Sequence, residues 1–334
     1  MSYFTDLPLP NEAEAIETLK ELVLASQAKK WKRGEARRFA HPKSHGLVNA
    51  TFFVPDNLPE KLKVGLFAKT GKYEAKIRFS LGAGGPDSPD FLPNVHGAAL
   101  KVLNVPGKKL LPGEEDSTEH DFLMANDSVF FCRTIDEMIL LGQRDFKGIL
   151  RHHPGLPLRV AEAVLKVLKS PLTTSYFSQV PYRFGDYAAK YALIPIGNSS
   201  PFFGPGDPLF VPPINPFDRD YLRHSIEKTL NTNPGTARFA FCVQLRNNGT
   251  LVDGGEPIAD PTVRWRGRLH AVALVTVQPL NGGTIKESDG EALSFNPWRA
   301  LAEHEPLSWV GRARRIIYPA DFAWRQAMNA AEKQ

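Results

Sequence analysis

The feature that most constrains the fold is a series of short segments in which apolar and polar residues alternate. In YEAKIRFS, residues 73–80, every second residue is apolar, as expected for a strand with one buried face. Gly or Pro turns separate many such segments, and strands do not alternate regularly with helices. The pattern predicts an α+β protein built on an antiparallel sheet or barrel. Further strands are predicted at residues 46–54, 97–105, 120–125, 190–196, 238–246 and 262–277.

Helical patterns surround these predicted strands. Residues 195–216 are rich in Pro and Gly, but Phe and Leu recur in them, which is typical of an ordered loop rather than a flexible linker. No internal repeat is visible, so we expect residues 1–334 to form a single domain with residues 1–30 as a helical lead-in. The predicted helices are residues 11–30, 134–149, 158–169, 217–230 and 314–331.

Composition and charge exclude several classes of protein. The chain of 334 residues has a formal net charge of +5 and no nucleic-acid-binding motif, so no nucleic-acid partner is expected. Two cysteines, Cys132 and Cys242, are too few for a disulfide framework or a structural zinc site. No leader peptide and no long uninterrupted apolar segment is visible, which predicts a cytoplasmic protein without a transmembrane segment. The basic balance leaves open a peripheral contact with an anionic membrane surface.

Taken one at a time, the polar residues near the strands are more typical of structural roles. His41 and His45 could share a metal on a helix, but Pro42 would break a helix there. Arg78 and Ser80 fall on the polar side of a predicted strand, which is compatible with a solvated face. None of these motifs alone identifies a functional site.

The segment RARRIIYPADFAWR, residues 312–325, places a tyrosine among arginines. If it is helical, Arg314, Tyr318 and Arg325 fall within about 40° of one another on one face. That face combines a weak acid with two permanent cations, which is unusual for a solvated surface. Pro319 disfavours helical geometry at the preceding residue, so a helix that begins near Pro319 is the alternative.

Four motifs in order change this interpretation. The chain carries R-x-x-H at 38–41, R-F-S at 78–80, N-x-x-x-F-F at 126–131 and R-x-x-x-Y at 314–318, followed by Arg325. Together they resemble the catalase family, in its branch of small catalase-related heme proteins. The resemblance runs from about residue 37 to residue 325, which is nearly the whole chain, and it implies an antiparallel β-barrel core with surrounding helices that binds heme.

The resemblance assigns three residues to the side of the heme where the peroxide reacts. It implies that His41 is the distal histidine, which takes a proton from the peroxide and returns it to the departing oxygen. Ser80 would support the imidazole from behind, as groups around a reacting residue do. Asn126 would hold the peroxide by hydrogen bonding.

The remaining residues are assigned to holding heme b. The resemblance implies that Tyr318 is the axial ligand of the ferric iron. A phenol is a poor ligand while protonated, and Arg314, one turn earlier, could stabilise the phenolate. Phe131 would pack on the porphyrin. The expected anchors of the heme propionates are Arg38, Arg78 and Arg325.

The implied activity is cleavage of the O–O bond of organic hydroperoxides, including those of fatty acids, or of hydrogen peroxide, through a ferryl heme. Typical catalases have valines where this chain has Ala40 and Gly82, and an aspartate where it has Asn94. The two smaller residues lead us to expect a wider distal pocket that favours organic hydroperoxides. A peroxidase with a small organic electron donor and a hydroperoxide isomerase similar to an allene oxide synthase both remain open.

Two other functions are open from the sequence. One is a heme- or lipid-binding barrel without turnover, a carrier or sensor, although His41 and Asn126 argue against it because a passive carrier needs no acid–base pair. The other is a barrel without a cofactor, which would leave the arginines without an anionic partner. The chain shows no counterpart of the long N-terminal arm and C-terminal helical domain of full catalases, so we expect a homo-oligomer smaller than a tetramer.

Overall fold

The computed structural model describes residues 4–197, 217–232, 237–246 and 255–330. The helices in these ranges are α1 (Glu12–Lys30), α2 (Ile135–Gln143), α3 (Phe146–His152), α4 (Leu156–Val164), α5 (Tyr221–Thr232) and α6 (Ser308–Ala330). The strands are β1 (Lys43–Val54), β2 (Gly71–Leu81), β3 (His96–Val102), β4 (His120–Ala125), β5 (Tyr176–Phe177), β6 (Tyr182–Phe184), β7 (Tyr187–Ile196), β8 (Arg238–Leu245) and β9 (Leu269–Val277).

Eight strands close into an antiparallel barrel. They run in the order β5, β4, β3, β2, β1, β9, β8, β7, and pairing of β5 with β7 completes the ring. The short strand β6 pairs with β7 outside this ring. Closure leaves none of the eight strands with a long unpaired edge. The expected α+β barrel with surrounding helices is confirmed.

The alternating pattern of the sequence explains the barrel core. In β1 the side chains of Val48, Ala50, Phe52 and Val54 are buried, whereas Phe53 between them is 41% exposed. Phe52 packs edge to face on Phe241 of β8 across the barrel interior, with ring centroids 5.4 Å apart. The strands therefore form because one side of each contributes to a shared apolar interior.

Several predicted boundaries were wrong. The strand predicted at 262–277 begins only at Leu269, and residues 262–268 form a loop before it. The carbonyls of Trp265 and Gly267 in this loop accept hydrogen bonds from the side chain of Gln244. The predicted helix 134–149 is two helices, because Arg144 takes a left-handed conformation with φ 59°. Strands β5 and β6 escaped prediction because two or three residues carry no periodicity. Of the loop predicted at 195–216, residues 198–216 lie outside the described ranges.

Helix α6 continues through Pro319, so the alternative of a helix that begins at this proline is wrong. An internal proline removes a backbone hydrogen bond and costs about 3 kcal/mol. Buried side chains on both sides of it, including Ile317 and Asp321, hold the helix in place. Helix α6 packs against α1, and within the described ranges no helix is both long and apolar enough to cross a membrane.

Candidate active site

A cavity lies between the barrel wall and α6. It is lined on one side by residues 38–41 and by parts of β2, β3 and β4, and on the other by α6. Ala98, Leu123 and Met124 add an apolar surface to the barrel side. Seven of the nine site residues selected from the sequence line this cavity, namely Arg38, His41, Arg78, Ser80, Arg314, Tyr318 and Arg325.

His41 is held by contacts from three directions. Its backbone is left-handed with φ 60°, its amide donates to the Gly82 carbonyl at 3.0 Å, and its carbonyl accepts from Arg78 Nη2 at 3.0 Å. The ring atom Nδ1 lies 3.1 Å from Ser80 Oγ. Gly97 approaches the ring so closely that a Cβ there would lie 2.6 Å from His41 Cε1. The position of the imidazole is therefore fixed before any ligand binds.

The imidazole of His41 is uncharged at neutral pH. Burial, followed by the charges of Arg78 and His96, lowers the pKa of His41 to about 3. A neutral imidazole can accept a proton, and because Nδ1 is engaged by Ser80, the Nε2 atom is left for proton exchange with a bound molecule. This side of the cavity can therefore perform general acid–base chemistry.

The other side of the cavity is one face of α6. Arg314, Tyr318 and Arg325 line the cavity from this helix. The ring of Tyr318 meets Phe39 edge to face, with centroids 5.6 Å apart and planes at 75°. Arg314 lies one turn before Tyr318, and its buried Nη1 has no hydrogen-bond partner among the described residues. A phenol and a guanidinium are therefore available together on this face.

Glu291 places a carboxylate among the arginines, and the sequence analysis did not select it. Its Oε1 lies 2.8 Å from Arg38 Nη1 and 3.0 Å from Arg78 Nη2. Its Oε2 lies 3.8 Å from Arg325 Nη1 and 4.0 Å from Arg37 Nη1. Arg325 Nη1 also donates to the Glu291 carbonyl at 2.8 Å. Burial, and then the charge of Arg78, lowers the pKa of Arg38 to about 9, so Arg38 stays a cation at neutral pH.

The arginine cluster, defined as Arg37, Arg38, Arg78 and Arg325, is only partly neutralised. Its carboxylate partners among the described residues are Glu291 and Asp321, the latter 3.9 Å from Arg325. Four cations and two anions leave an excess of two positive charges. The Nε atoms of Arg78 and Arg325 are buried without a hydrogen-bond partner among the described residues. Because buried cations and unpaired N–H groups are costly, the cluster suits a ligand with two carboxylates.

The two remaining site residues, Asn126 and Phe131, do not line the cavity. The side-chain oxygen of Asn126 accepts a hydrogen bond from the backbone amide of His96 at 2.9 Å, and the backbone amide of Asn126 donates to the His96 carbonyl at 2.9 Å. Phe131 packs on Phe130 with ring centroids 4.5 Å apart. Asn126 therefore supports the end of β3, and a direct contact of either residue with a ligand stays a prediction.

His41 and His45 do not form the metal pair considered from their spacing. His45 is turned towards Asp90, 3.5 Å away, and stacks on His96 with ring centroids 5.7 Å apart. Burial lowers the pKa of His45 and, to about 4, the pKa of His96. No group of three or more His, Cys, Asp or Glu side chains suited to a metal occurs in the described part of the chain.

Three positions differ from the residues of typical catalases, and they contribute differently to the cavity: Ala40, Gly82 and Asn94. Ala40 lines the cavity. Gly82 does not line it and lies against Val95, whose Cβ would be 2.9 Å from a Cβ at this position. Asn94 hydrogen-bonds both backbone groups of Ala83. Of the two smaller residues, only Ala40 is therefore placed to widen the cavity, and the wider pocket itself stays a prediction.

Sequence reasoning missed three residues of the site. Glu291 lies in a segment without motif or periodicity, and only the surplus of arginines hinted at a carboxylate partner. Gly97 begins the predicted strand 97–105, where a small residue is the one visible signal of a close approach. Tyr182 lies beside Arg314; burial raises the pKa of Tyr182 to about 12, while Arg314 acts in the opposite direction.

Comparison with solved structures agrees with this fold. A fungal catalase superposes with a TM-score of 0.67 at 14% identity, over 90% of this chain and 61% of that one. Catalase A from Saccharomyces cerevisiae superposes with a TM-score of 0.66 at 14% identity, over 96% of this chain and 67% of that one. A bacterial catalase superposes with a TM-score of 0.64 at 18% identity, over 95% of this chain and 61% of that one.

These likenesses show the fold alone, because the identities are low. The chain spans about 61–67% of the length of these catalases. No protein-family model matches the chain, and no curated protein matches its sequence. The chain therefore has a catalase-like fold.

Proposed function

We propose that this chain is a heme-dependent enzyme of the small catalase-related branch that cleaves the O–O bond of organic hydroperoxides. One observation carries the proposal: a single cavity has a neutral, hydrogen-bonded histidine on one side and a tyrosine–arginine face on the other. The catalase-like fold supports it independently.

The residues of the cavity fit heme b. The excess of two positive charges in the arginine cluster matches the two propionates, and the unpaired Nε atoms of Arg78 and Arg325 can donate to them. Tyr318 offers the only phenol on the described cavity wall, so it is the proposed axial ligand, with Arg314 stabilising its phenolate. When bound, heme supplies the redox-active iron at which the O–O bond is broken.

The protein's own contribution to the reaction is proton transfer. His41, neutral at working pH, accepts the proton of the terminal hydroperoxide oxygen on Nε2. It then delivers that proton to the oxygen that carries the organic group, so an alcohol leaves as the O–O bond breaks. Ser80 holds Nδ1 and keeps the ring in one orientation through both steps.

The cavity wall favours organic over inorganic peroxide. Ala40, Ala98 and Leu123 give the barrel side an apolar lining, which stabilises an alkyl chain more than it stabilises hydrogen peroxide. Comparing hydrogen peroxide, cumene hydroperoxide and a fatty acid hydroperoxide, with product analysis, separates a peroxidase from an isomerase.

Both cysteines are buried free thiols, which agrees with the proposed cytoplasmic location.

A heme titration with matched tyrosine variants tests the proposal. Purified protein is titrated with hemin while its absorbance is followed, and turnover of cumene hydroperoxide is then measured. Tyr318→Phe should lower heme affinity more than about tenfold and change the ferric spectrum, since even the indirect partners of a ligand cost 10–100-fold. Tyr73→Phe, which changes a tyrosine of β2 outside the cavity lining, is the control and should keep the spectrum.

The outcomes separate the alternatives. No saturable heme binding by the unaltered protein would refute the proposal. Heme binding without turnover of any of the three peroxides would favour a carrier or sensor instead. An unchanged spectrum in Tyr318→Phe would reject Tyr318 as the ligand.

A further inference from the structure

Exposed apolar side chains are concentrated on two short helices. Of the eleven large apolar side chains exposed among the described residues, five lie between Phe146 and Val167. On α3, Phe146 is 67% exposed and Leu150, one turn later, is 65% exposed. On α4, Leu158 is 75% exposed, and Leu165, the residue directly after this helix, is 68% exposed. The spacing of four residues places Phe146 and Leu150 on one face of α3, and three residues connect the two helices.

The same segment carries most of the net charge of the chain. Residues 144–169 contain six Lys or Arg and two Asp or Glu, a net charge of +4 against +5 for all 334 residues. The exposed cations are Arg144, Lys147, Arg151 and Lys169. Of the two acids, Asp145 accepts the Gly148 amide at the start of α3 and Glu162 pairs with Arg264 at 3.0 Å. Arg159 and Lys166 pair with Glu137 and Asp127, so the charge beside the apolar side chains comes from the four exposed cations and Asp145, and it is positive.

We propose that residues 144–169, here called the basic–apolar face, dock the protein on an anionic lipid surface. Side chains such as Phe and Leu on one helical face, with Lys and Arg beside them, have the composition of helices that lie in a membrane interface. The cations interact with anionic headgroups, and the apolar side chains enter the boundary of the acyl chains.

Charge favours a lipid surface over a second copy of this chain. Two basic–apolar faces brought together would place positive charge against positive charge, which opposes an isologous contact. An anionic bilayer presents the complementary charge over an area larger than the two helices. Single exposed apolar residues are common on protein surfaces, but here four large apolar side chains in one short segment are each at least 65% exposed.

The face is joined rigidly to the region around the cavity. Arg159 on α4 donates from Nε to the Phe131 carbonyl at 2.9 Å and from Nη2 to the Glu137 carboxylate at 2.6 Å. Lys166 binds Asp127 at 2.5 Å. These contacts tie α4 and the residues after it to the chain that follows β4, and β4 itself lines the cavity. Docking would hold the proposed enzyme at the source of lipid hydroperoxides, but the docking itself does not depend on heme.

Vesicle flotation tests the docking. The full chain is mixed with vesicles of phosphatidylcholine alone or of phosphatidylcholine with phosphatidylserine. We expect binding to the anionic vesicles and little to the zwitterionic ones. Raising the ionic strength from about 0.1 M to 1 M shortens the Debye length from about 10 Å to 3 Å and should weaken the binding.

Two double variants separate the contributions. Phe146→Ser/Leu150→Ser removes apolar contact, and Lys147→Glu/Arg151→Glu reverses charge; each should reduce anionic-vesicle binding more than about tenfold. Leu7→Ser/Leu9→Ser and Lys69→Glu/Lys72→Glu make the same changes at exposed positions elsewhere and should retain binding. All affected side chains are exposed, and circular dichroism checks that each variant is folded.

The remaining outcomes would overturn the proposal. They are equal binding to both kinds of vesicle, no binding to either, or the same loss in the control variants. If the protein without vesicles self-associates in sedimentation and Phe146→Ser/Leu150→Ser abolishes this, the face is instead a contact between copies.

Discussion

The two sides of the cavity are built in different ways. On the α6 side, one regular helix positions Arg314, Tyr318 and Arg325 by spacing alone. On the barrel side, His41 occupies a left-handed position and depends on contacts from β2 and β3. One side is determined locally and the other by residues far apart in the sequence.

This difference suggests a division of labour. The α6 side offers a phenol and cations, which are proposed to hold the heme, and these groups need only a common helical face. The barrel side offers His41, the proposed proton carrier, whose position must be fixed within fractions of an ångström. Changes at His41 and its contacts should therefore reduce turnover at constant heme binding, whereas changes at Tyr318 or at the arginines of either side should alter heme binding itself.

The largest expected effect is acid destabilisation of the barrel side. His45 and His96 are buried and His41 is partly buried, and desolvation lowers the pKa of each below the usual 6.5. Below about pH 6.5 the unfolded chain binds protons that the folded chain excludes, so the free energy of unfolding decreases as the pH is lowered. The decrease continues down to the folded pKa values, about 4 for His96 and 3 for His41. Each histidine adds a slope of up to about 1.4 kcal/mol per pH unit.

Denaturant unfolding at a series of pH values checks this sign and slope. His120 and His304 in the barrel also have lowered pKa values, so a difference between variants isolates one histidine. His96→Asn should remove up to about 1.4 kcal/mol per pH unit from the slope, and exposed His152→Asn should not. On the α6 side, burial raises the pKa of Asp321, which acts in the opposite direction. An unchanged slope in His96→Asn would contradict the prediction.

The second prediction separates chemistry from binding. His41→Ala should reduce hydroperoxide cleavage about 10²–10⁴-fold, the usual contribution of general acid–base catalysis. Heme affinity in a hemin titration should stay unchanged, because the proposed ligand and anchors remain. His152→Ala is the matched control at an exposed histidine. Cleavage retained in His41→Ala would show that another group carries the proton.

The α6 side was largely predictable from sequence, because helical spacing alone placed Arg314, Tyr318 and Arg325 on one face. The uncertainty at Pro319 could not be resolved locally, since packing of Ile317 and Asp321 against the rest of the molecule decides it. Most barrel strands were also predictable, because the alternation of apolar and polar residues is visible within each short segment.

The barrel side could not be derived in this way. Neither the left-handed backbone of His41 nor its contact with Ser80, 39 residues later, has a local signal. Only the resemblance to a family put these residues together. Glu291 pairs with Arg78, which lies 213 residues earlier in the sequence, and no pattern in the segment around Glu291 predicts this contact.

The third prediction reaches His41 without changing it. In Gly97→Ala, the new Cβ would lie 2.6 Å from His41 Cε1 and 2.9 Å from Ser80 Oγ, so the ring must move. A misplacement of about 1 Å can cost 10²-fold in rate, and we expect a loss of that order with heme binding retained. Gly85→Ala, which meets no atom within 4 Å, is the control. Normal turnover in Gly97→Ala would mean that the ring tolerates displacement.

The smallest expected effect concerns the arginine cluster. Glu291 engages the guanidiniums of Arg38 and Arg78 at 2.8 and 3.0 Å, so its carboxylate competes with the heme propionates proposed to bind there. Glu291→Gln removes that charge while keeping the shape, and it should raise heme affinity by about tenfold, since a like charge a few ångströms away costs on the order of 1–3 kcal/mol. A hemin titration measures this without requiring turnover.

A matched variant shows whether the charge acts locally. Glu303→Gln removes an exposed carboxylate elsewhere and should leave heme affinity unchanged. If Glu291→Gln instead weakens heme binding, the carboxylate preorganises the arginines rather than competing for them. Arg38 and Arg78 would then depend, like His41, on a partner far away in the sequence, and heme binding as well as turnover would rest on such long-range contacts.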